Sequence, residues 1–203
     1  MKKNQLVLGT KNKDKLRELK HLLKSVNIQV RSLVDYPECK DVVENGKTFE
    51  ANARKKSGDY SHHTRRLTLA DDSGLMVRAL NGKPGVYSAR FAGKDCAYQD
   101  NNRKLLKLLK DLPAGKRRAK FVCVMALYDD GKFIKIVKGE CRGFIANEAK
   151  GKSGFGYDPV FIPEGFSKTF AELSSTTKNR ISHRGKALRA MKRVILRYFK
   201  ENL

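Results

Sequence analysis

The first seventy residues of the chain alternate between short apolar runs and segments whose leucines recur at helical spacing. The elements predicted here are strands over residues 5–10, 28–33 and 67–70 and helices over residues 13–23 and 48–60. The apolar positions of the first helix are Leu16, Leu19, Leu22 and Leu23, and Asn12 stands where a capping side chain is favoured. Strands that alternate with helices bury their apolar residues in a sheet covered by those helices, so this half of the chain predicts an α/β fold.

An Asp-Gly pair between two apolar runs indicates a β-hairpin in the middle of the chain. Asp130 and Gly131 separate runs over residues 119–127 and 133–137, and residues 140–146 extend the ribbon. The other predicted elements are a helix over residues 102–112, a glycine-rich loop over residues 151–159 and a terminal helix over residues 183–203. We therefore predict one domain over residues 1–203, with a mixed α/β sheet in two lobes and a central substrate cleft.

The chain is strongly basic, with 44 lysines and arginines, 21 aspartates and glutamates, and a formal net charge of +23. This charge attracts polyanions, so nucleotides, nucleic acids and acidic surfaces are all candidate partners. It is spread along the chain rather than confined to a tail, which argues against a dedicated nucleic-acid module. Specific nucleic-acid binding is therefore not expected.

The sequence predicts neither a membrane segment nor a secretory leader. Its apolar runs fall short of the roughly 20 residues that span a bilayer. Lys11 and Lys13 interrupt the apolar start before it reaches the length of a secretory core, so the expected location is the cytoplasm. The four cysteines are scattered without a C-x-x-C pair, which indicates neither a zinc site nor a disulfide framework.

The densest acidic chemistry is the segment Ala70-Asp71-Asp72-Ser73-Gly74, which we expect to form a turn at the end of the third strand. Successive side chains of an extended backbone point to opposite sides, so at most one of Asp71 and Asp72 is expected to face a substrate. Mg²⁺ is held by a few carboxylates together with water and substrate phosphates, and a second ligand would come from Glu44 or Glu50. The alternatives are an ordinary acidic turn and a helix-capping role for the glutamate segment.

The segment Thr10-Lys11-Asn12-Lys13-Asp14-Lys15 joins the first predicted strand to the first predicted helix. It brings backbone N–H groups, a hydroxyl and cations to the positive end of a helix, which suits a phosphate group. Taken by itself, the segment fits an ordinary capped helix with solvated lysines better.

Two further segments stand out in the last third of the chain. Gly154-Phe155-Gly156-Tyr157-Asp158-Pro159 sets an aromatic ring between two glycines, which suits stacking on a flat base, although a hairpin corner with buried aromatics explains it equally well. Ser182-His183-Arg184-Gly185 opens the terminal helix, and Lys178 precedes it, so three basic side chains converge on another positive helix end. Taken singly, such a histidine is more often structural and such a lysine more often solvated.

Six segments together resemble the inosine/xanthosine triphosphate pyrophosphatase family, hydrolases of non-standard purine nucleotides. They are Thr10-x-Asn12-x-x-Lys15, Glu44-x-Gly46-x-Thr48-Phe49 with Asn52-Ala53, Ala70-Asp71-Asp72-Ser73-Gly74-Leu75, Pro84-Gly85-Val86-Tyr87-Ser88-Ala89-Arg90, Gly154-Phe155-Gly156-Tyr157-Asp158-Pro159 and Ser182-His183-Arg184. The resemblance covers nearly the whole chain and implies a homodimer of two-lobed subunits. It also implies Mg²⁺-dependent hydrolysis of ITP, dITP and XTP to the monophosphate and pyrophosphate. The chain departs from the family in reading Glu-Ala-Asn after Phe49 and in its unusually high positive charge.

With this resemblance the candidate residues acquire hypothetical roles. Glu44 and Asp72 would hold Mg²⁺, and Asp72 would also orient or deprotonate the attacking water. The predicted phosphate-binding residues are Lys15, Lys178, Thr10, Asn12 and Ser73, and the predicted base-binding residues are Phe155, Asp158, His183 and Arg184. Lys11, Lys13, Asp14, Gly156 and Tyr157 complete the predicted substrate site.

Two other functions stay open. The same fold would serve another damaged or modified nucleotide, because phosphate-binding groups say little about the base. A nucleic-acid-binding protein driven by the net charge would instead bind DNA or RNA in a salt-sensitive way, without Mg²⁺-dependent turnover. The acidic Asp71-Asp72 pair argues against this as the main function.

Overall fold

The computed structural model describes residues 4–24 and 27–202, except for the side chain of Leu22. Leu203, with which the predicted terminal helix ends, also lies outside the described residues. The strands are β1 (Gln5–Leu8), β2 (Gln29–Ser32), β3 (Thr68–Val77), β4 (Arg118–Asp129), β5 (Lys132–Ile145) and β6 (Phe161–Pro163). The helices are α1 (Lys13–Leu23), α2 (Phe49–Thr64), α3 (Tyr98–Leu108), α4 (Ser175–Ile181) and α5 (His183–Glu201).

The described strands form one six-stranded sheet in the order β2-β1-β3-β4-β5-β6. β1 is parallel to both β2 and β3, whereas β5 and β6 are antiparallel. The predicted mixed α/β fold is therefore confirmed. None of the described helices combines the length and the apolar character that a membrane crossing requires.

Local signals placed two of the elements correctly. The side-chain oxygen of Asn12 accepts hydrogen bonds from the backbone N–H groups of Asp14 and Lys15, each at 3.0 Å. The helix α1 begins at Lys13, directly after this capping residue. β4 and β5 are joined by Asp130 and Gly131, whose φ angles of 43° and 78° are those of the tight turn that suits a hairpin.

The predicted acidic turn after the third strand was wrong. β3 runs from Thr68 to Val77, so Asp71, Asp72 and Ser73 lie inside a ten-residue strand. The two carboxylates are buried, at 2% and 6% exposure. Burial of these charges is possible because each carboxylate has a polar partner on a helix. Asp71 pairs with Lys15 and Asp72 accepts a hydrogen bond from Asn52, and these contacts stabilise polar residues that would otherwise end a strand.

Contacts divide the described residues into two compact units. The first comprises the described residues up to Asp72, residues 123–139 and those from Gly185 onward, and the second comprises Ser73–Val122 and Glu140–Arg184. The core of the first unit contains Leu6, Leu8, Leu69, Met125 and Leu127 from the strands, Leu16, Leu19 and Leu23 from α1, and Ala187, Leu188, Met191 and Ile195 from α5. The core of the second unit includes Leu75, Val77, Leu105, Leu109, Phe121, Phe161 and Phe170. The substrate cleft stays a prediction.

Candidate active site

In the first unit, two carboxylates share one buried ammonium group. Lys56 Nζ lies 2.9 Å from Glu44 Oε2 and 3.8 Å from Asp72 Oδ1, and its side chain is 8% exposed. Asn52, one turn earlier on α2, donates its amide Nδ2 to Asp72 Oδ2 at 3.0 Å and accepts the backbone N–H of Gly46 at 2.7 Å. α2 therefore fixes both the carboxylate of Asp72 and the loop that carries Glu44.

The electrostatics of this group favour a basic carboxylate beside a charged lysine. Burial raises the pKa of Asp72 above the ordinary carboxyl value, although the Lys56 ammonium and the Asn52 amide act in the opposite direction. Burial lowers the pKa of Lys56, but the negative charges around it, with Asp72 the largest, leave that pKa above the ordinary lysine value. Lys56 is thus an ammonium at neutral pH, and Asp72 has a raised affinity for a proton.

The neighbouring carboxylate has a different partner. Asp71 Oδ2 lies 3.1 Å from Lys15 Nζ and accepts a hydrogen bond from the thiol of Cys123 at 3.9 Å. The side chain of Asp71 is 1% exposed and that of Lys15 is 16% exposed. Asp71 therefore holds the Lys15 ammonium in place.

The rest of the predicted phosphate segment lies at the start of α1. The Asn12 backbone N–H donates to the hydroxyl of Thr10 at 3.2 Å, in addition to the cap that the Asn12 side chain provides. Lys11 pairs with Asp41 at 2.9 Å on the surface, Asp14 pairs with Arg17, and Lys13 is exposed. Their roles in binding substrate stay predictions.

The oxygen donors of the first unit fit Mg²⁺ when part of the coordination comes from a phosphate. The described residues contain no group of three or more histidine, cysteine or acidic side chains that could hold a metal ion. Mg²⁺ usually takes only one or two carboxylates together with water and substrate phosphates, and Glu44 and Asp72 gather two around one positive charge. The alternative ligand Glu50 instead pairs with Arg54 at 2.8 Å and is 53% exposed, so the geometry favours Glu44.

In the second unit, an aromatic ring is flanked by two buried cations. Lys178 Nζ lies 5.1 Å and Arg184 Cζ 5.4 Å from the ring centroid of Phe155. Asp158 Oδ2 accepts the Phe155 backbone N–H at 2.8 Å and lies 2.7 Å from Lys178 Nζ, while Arg184 Nη2 donates to the hydroxyl of Ser73 at 3.1 Å. Asp158 thus fixes both the loop and one cation beside the ring.

The loop around Phe155 depends on glycine. Gly154 has a φ of +78°, and a Cβ there would lie 2.1 Å from Asp158 Oδ2. The backbone oxygen of Gly156 accepts the amide of Asn102 at 3.0 Å, and the Tyr157 hydroxyl donates to the backbone oxygen of Ser88 at 2.9 Å. Burial raises the pKa of Tyr157, so the phenol stays protonated and serves as a hydrogen-bond donor within the fold.

His183 lies against an aromatic ring. Its ring stacks on Phe121 with centroids 4.6 Å apart and an angle of 8° between planes, and the residue is 5% exposed. The two rings fix the start of α5, where Arg184 follows.

Sequence reasoning missed Lys56 and Tyr98. The burial of Lys56 depends on Glu44 and Asp72, which lie 12 and 16 positions away in the chain. Its spacing of four from Asn52 was the available signal, because residues four apart share a helix face. Tyr98, at the start of α3, has its ring centroid 6.0 Å from that of Phe155 and forms a second aromatic side of the cluster.

Comparison with known proteins gives one consistent answer. The sequence model of the Ham1 family matches residues 6–194. The chain is 48% identical over 197 residues to the dITP/XTP pyrophosphatase of Bacillus cereus, covering 96% of each chain. It is 47% identical over 198 residues to that of Rhodopirellula baltica, covering 97% of this chain and 95% of the relative.

The comparison with solved structures points to the same family as the comparison of sequences. A HAM1 protein from Coxiella burnetii superposes with a TM-score of 0.86 at 37% identity, over 96% of this chain and 99% of that one. The nucleoside-triphosphatase / dITP/XTP pyrophosphatase of Mycobacterium abscessus gives a TM-score of 0.76 at 42% identity, over 92% of this chain and 98% of that one. The resemblance predicted from the six segments is confirmed, and the chain belongs to the Ham1 family.

Proposed function

We propose that this protein is a nucleoside triphosphate pyrophosphatase that hydrolyses non-standard purine nucleotides, namely ITP, dITP and XTP, to the monophosphate and pyrophosphate. The observation that carries the proposal is the buried Asp72 carboxylate, which shares the Lys56 ammonium with Glu44. The names of the relatives from Bacillus cereus and Rhodopirellula baltica support the same substrate class.

The chemistry at the phosphate end is a single displacement by water. Asp72 accepts a proton as the water oxygen bonds to the α-phosphorus, and the bond from that phosphorus to the bridging oxygen breaks to release pyrophosphate. Burial of Asp72 suits it to this role because it raises the proton affinity of the carboxylate. The Lys15 ammonium, held by Asp71, neutralises charge that develops on the leaving group.

Glu44 and Asp72 are the residues that would hold Mg²⁺. When bound, the ion would supply charge neutralisation for the phosphate oxygens. Lys56 and Asn52 keep the two carboxylates positioned for it. Mg²⁺ dependence is part of the proposal and is checked by turnover in EDTA against turnover in Mg²⁺.

The chemistry at the base end selects a 6-oxo purine. Phe155 supplies a stacking face, and Arg184 has only N–H donors to offer. A donor matches the 6-oxygen of hypoxanthine or xanthine and mismatches the 6-amino group of adenine, and a buried mismatch is costly. Asp158 and Lys178 keep this cluster in place through the 2.7 Å contact between them. Selection against ATP follows from this chemistry.

The family resemblance also supports a cytoplasmic homodimer, which we include in the proposal. Light scattering on the purified protein measures the oligomeric state, and a mass of one chain would contradict the dimer.

The decisive experiment compares two aspartate variants on several nucleotides. Purified protein with Mg²⁺ is expected to release pyrophosphate, and no orthophosphate, from ITP, dITP and XTP and much less from ATP. Asp72→Asn is expected to lower turnover of ITP by about a thousandfold, because it removes the proton acceptor and one carboxylate.

Asp130→Asn, in the exposed hairpin turn, is the matched control and is expected to keep wild-type turnover. Circular dichroism checks that both variants fold. Near-normal turnover by folded Asp72→Asn would refute the role of this residue, and release of pyrophosphate from none of the substrates would refute the proposed function.

A further inference from the structure

The side of α5 that points away from the core is a row of cations. The helix contains seven lysines and arginines and one glutamate. Its exposed cations are Lys186, Arg189, Arg193, Arg197 and Lys200. They follow one another at intervals of three or four residues, so they share one side of the helix. The row extends about 21 Å along the helix axis at a rise of 1.5 Å per residue.

The opposite side of α5 packs in the hydrophobic core. Ala187, Leu188, Met191 and Ile195 are between 0% and 2% exposed and belong to the core of the first unit. The cationic row therefore has a rigid support. The side chains of Arg193, Arg197 and Lys200 form no hydrogen bond or ion pair with another described residue, so these charges are not neutralised by described acids.

We propose that this row binds the phosphate backbone of double-stranded DNA without sequence selectivity. Neighbouring cations on a helix face are about 6 Å apart, and a straight row of this length lies along about six base pairs at 3.4 Å each. The charge of the row is complementary to that of the duplex, which carries one negative charge per about 1.7 Å of axis. Such binding uses no catalytic residue, and it gives part of the +23 charge a role that nucleotide hydrolysis does not require.

Two other anionic partners fit this face less well. Binding of single strands relies on aromatic side chains that stack with bases, but Tyr198 and Phe199, the aromatic residues of α5, pack against the core. Binding to an anionic membrane by a surface helix relies on an apolar face that inserts, and the apolar face of α5 is buried in the protein. Duplex phosphates need only the exposed cations.

The test measures DNA binding in the absence of catalysis. The whole protein in EDTA, without nucleotide, is titrated against a fluorescent duplex of about 20 base pairs, and anisotropy is recorded between about 50 and 200 mM salt. If all five cations contact phosphate, the logarithm of the affinity is expected to fall with the logarithm of salt with a slope of about −4.5. The triple variant Arg193→Glu, Arg197→Glu and Lys200→Glu is expected to bind at least about tenfold more weakly at low salt, with a slope less steep by about 3.

A matched variant separates this row from the general positive charge. Lys107→Glu, Lys110→Glu and Lys116→Glu remove three exposed cations of the second unit and change the net charge by the same amount. This variant is expected to bind DNA nearly as well as the wild type. Equal losses in both triple variants would overturn the proposal, as would no duplex binding at low salt.

Tighter binding of single-stranded RNA or of anionic vesicles than of the duplex would also overturn it. The triple variant Arg193→Gln, Arg197→Gln and Lys200→Gln replaces the glutamate variant if that protein does not fold. Hydrolysis of ITP by every variant is measured separately and is expected to stay unchanged. Failure of the proposed enzyme activity would therefore be visible on its own and would not affect the binding result.

Discussion

A single lysine allows two carboxylates to lie near one another in the candidate active site. Two carboxylates that lie close together repel each other. Lys56, at 2.9 Å from Glu44 and 3.8 Å from Asp72, supplies the compensating charge. It is a positioning residue, since it holds the two acids in place.

Replacing this lysine should cost both stability and activity. Lys56→Met removes the counter-charge but keeps an unbranched side chain, and it is expected to lower the free energy of unfolding by about 3 kcal/mol. Turnover of ITP by the folded variant should fall, and the Mg²⁺ concentration for half-maximal rate should change. Urea unfolding followed by circular dichroism, together with a Mg²⁺ titration of the rate, measures these effects.

The control for this substitution is Lys116→Met, at an exposed position, which should leave both quantities near the wild type. If Lys56→Met matches the control in stability and in Mg²⁺ dependence, Lys56 does not position the carboxylates.

At the scale of elements, the hairpin between β4 and β5 depends on a backbone conformation that favours glycine. Gly131 has a φ of +78°, and a Cβ added there would meet His62 Nδ1 at an ordinary distance of 3.6 Å. The position is therefore restricted by backbone conformation rather than by lack of space.

Two alanine substitutions separate these causes. Gly131→Ala is expected to lower the free energy of unfolding by about 1 kcal/mol, the cost of a left-handed conformation for a residue with a Cβ. At Gly115 the φ lies outside the left-handed region and a Cβ would meet nothing within 4 Å, so Gly115→Ala should be neutral or slightly stabilising. Urea unfolding of both variants checks the difference, and equal stabilities would contradict the argument.

The elements that sequence could predict are those whose signals lie within a few residues. The cap of α1 at Asn12 and the Asp130-Gly131 turn are of this kind, and both were placed correctly. β3 was predicted too short because Asp71 and Asp72 normally end strands. Their buried partners, from α1 and α2, come from distant parts of the sequence. Polar residues within a strand are predictable only when their partners are known.

The residues of the candidate site also divide into those that the sequence could predict and those that it could not. Asp72 and Glu44 could be proposed from their chemistry and from the family resemblance, and the structure brings both to one ammonium. Lys56 could not, because most helical lysines are solvated and only the folded chain shows this one to be buried.

At the scale of the whole molecule, the surplus of positive charge destabilises the folded state relative to the unfolded chain. A net charge of +23 repels itself more strongly in the folded state than in the expanded chain. Salt screens this repulsion, because the Debye length falls from about 10 Å at 0.1 M to about 3 Å at 1 M.

The melting temperature is therefore expected to rise as NaCl increases from about 0.05 M to about 0.5 M. The variant with Lys107→Glu, Lys110→Glu and Lys116→Glu should melt at a higher temperature than the wild type at low salt and respond less to added salt. Differential scanning calorimetry at the two salt concentrations measures both effects. A melting temperature that falls with salt would show that local ion pairs outweigh the general repulsion.

The two units also differ in when the ribosome completes them. Every segment of the second unit has been synthesised once Arg184 is in the chain. The core of the first unit still lacks Ala187, Leu188, Met191 and Ile195 at that moment, although its first strands were made long before. The nascent chain must therefore carry β1, α1 and the acidic pair of β3 with their apolar core incomplete until α5 has been synthesised, after every segment of the second unit.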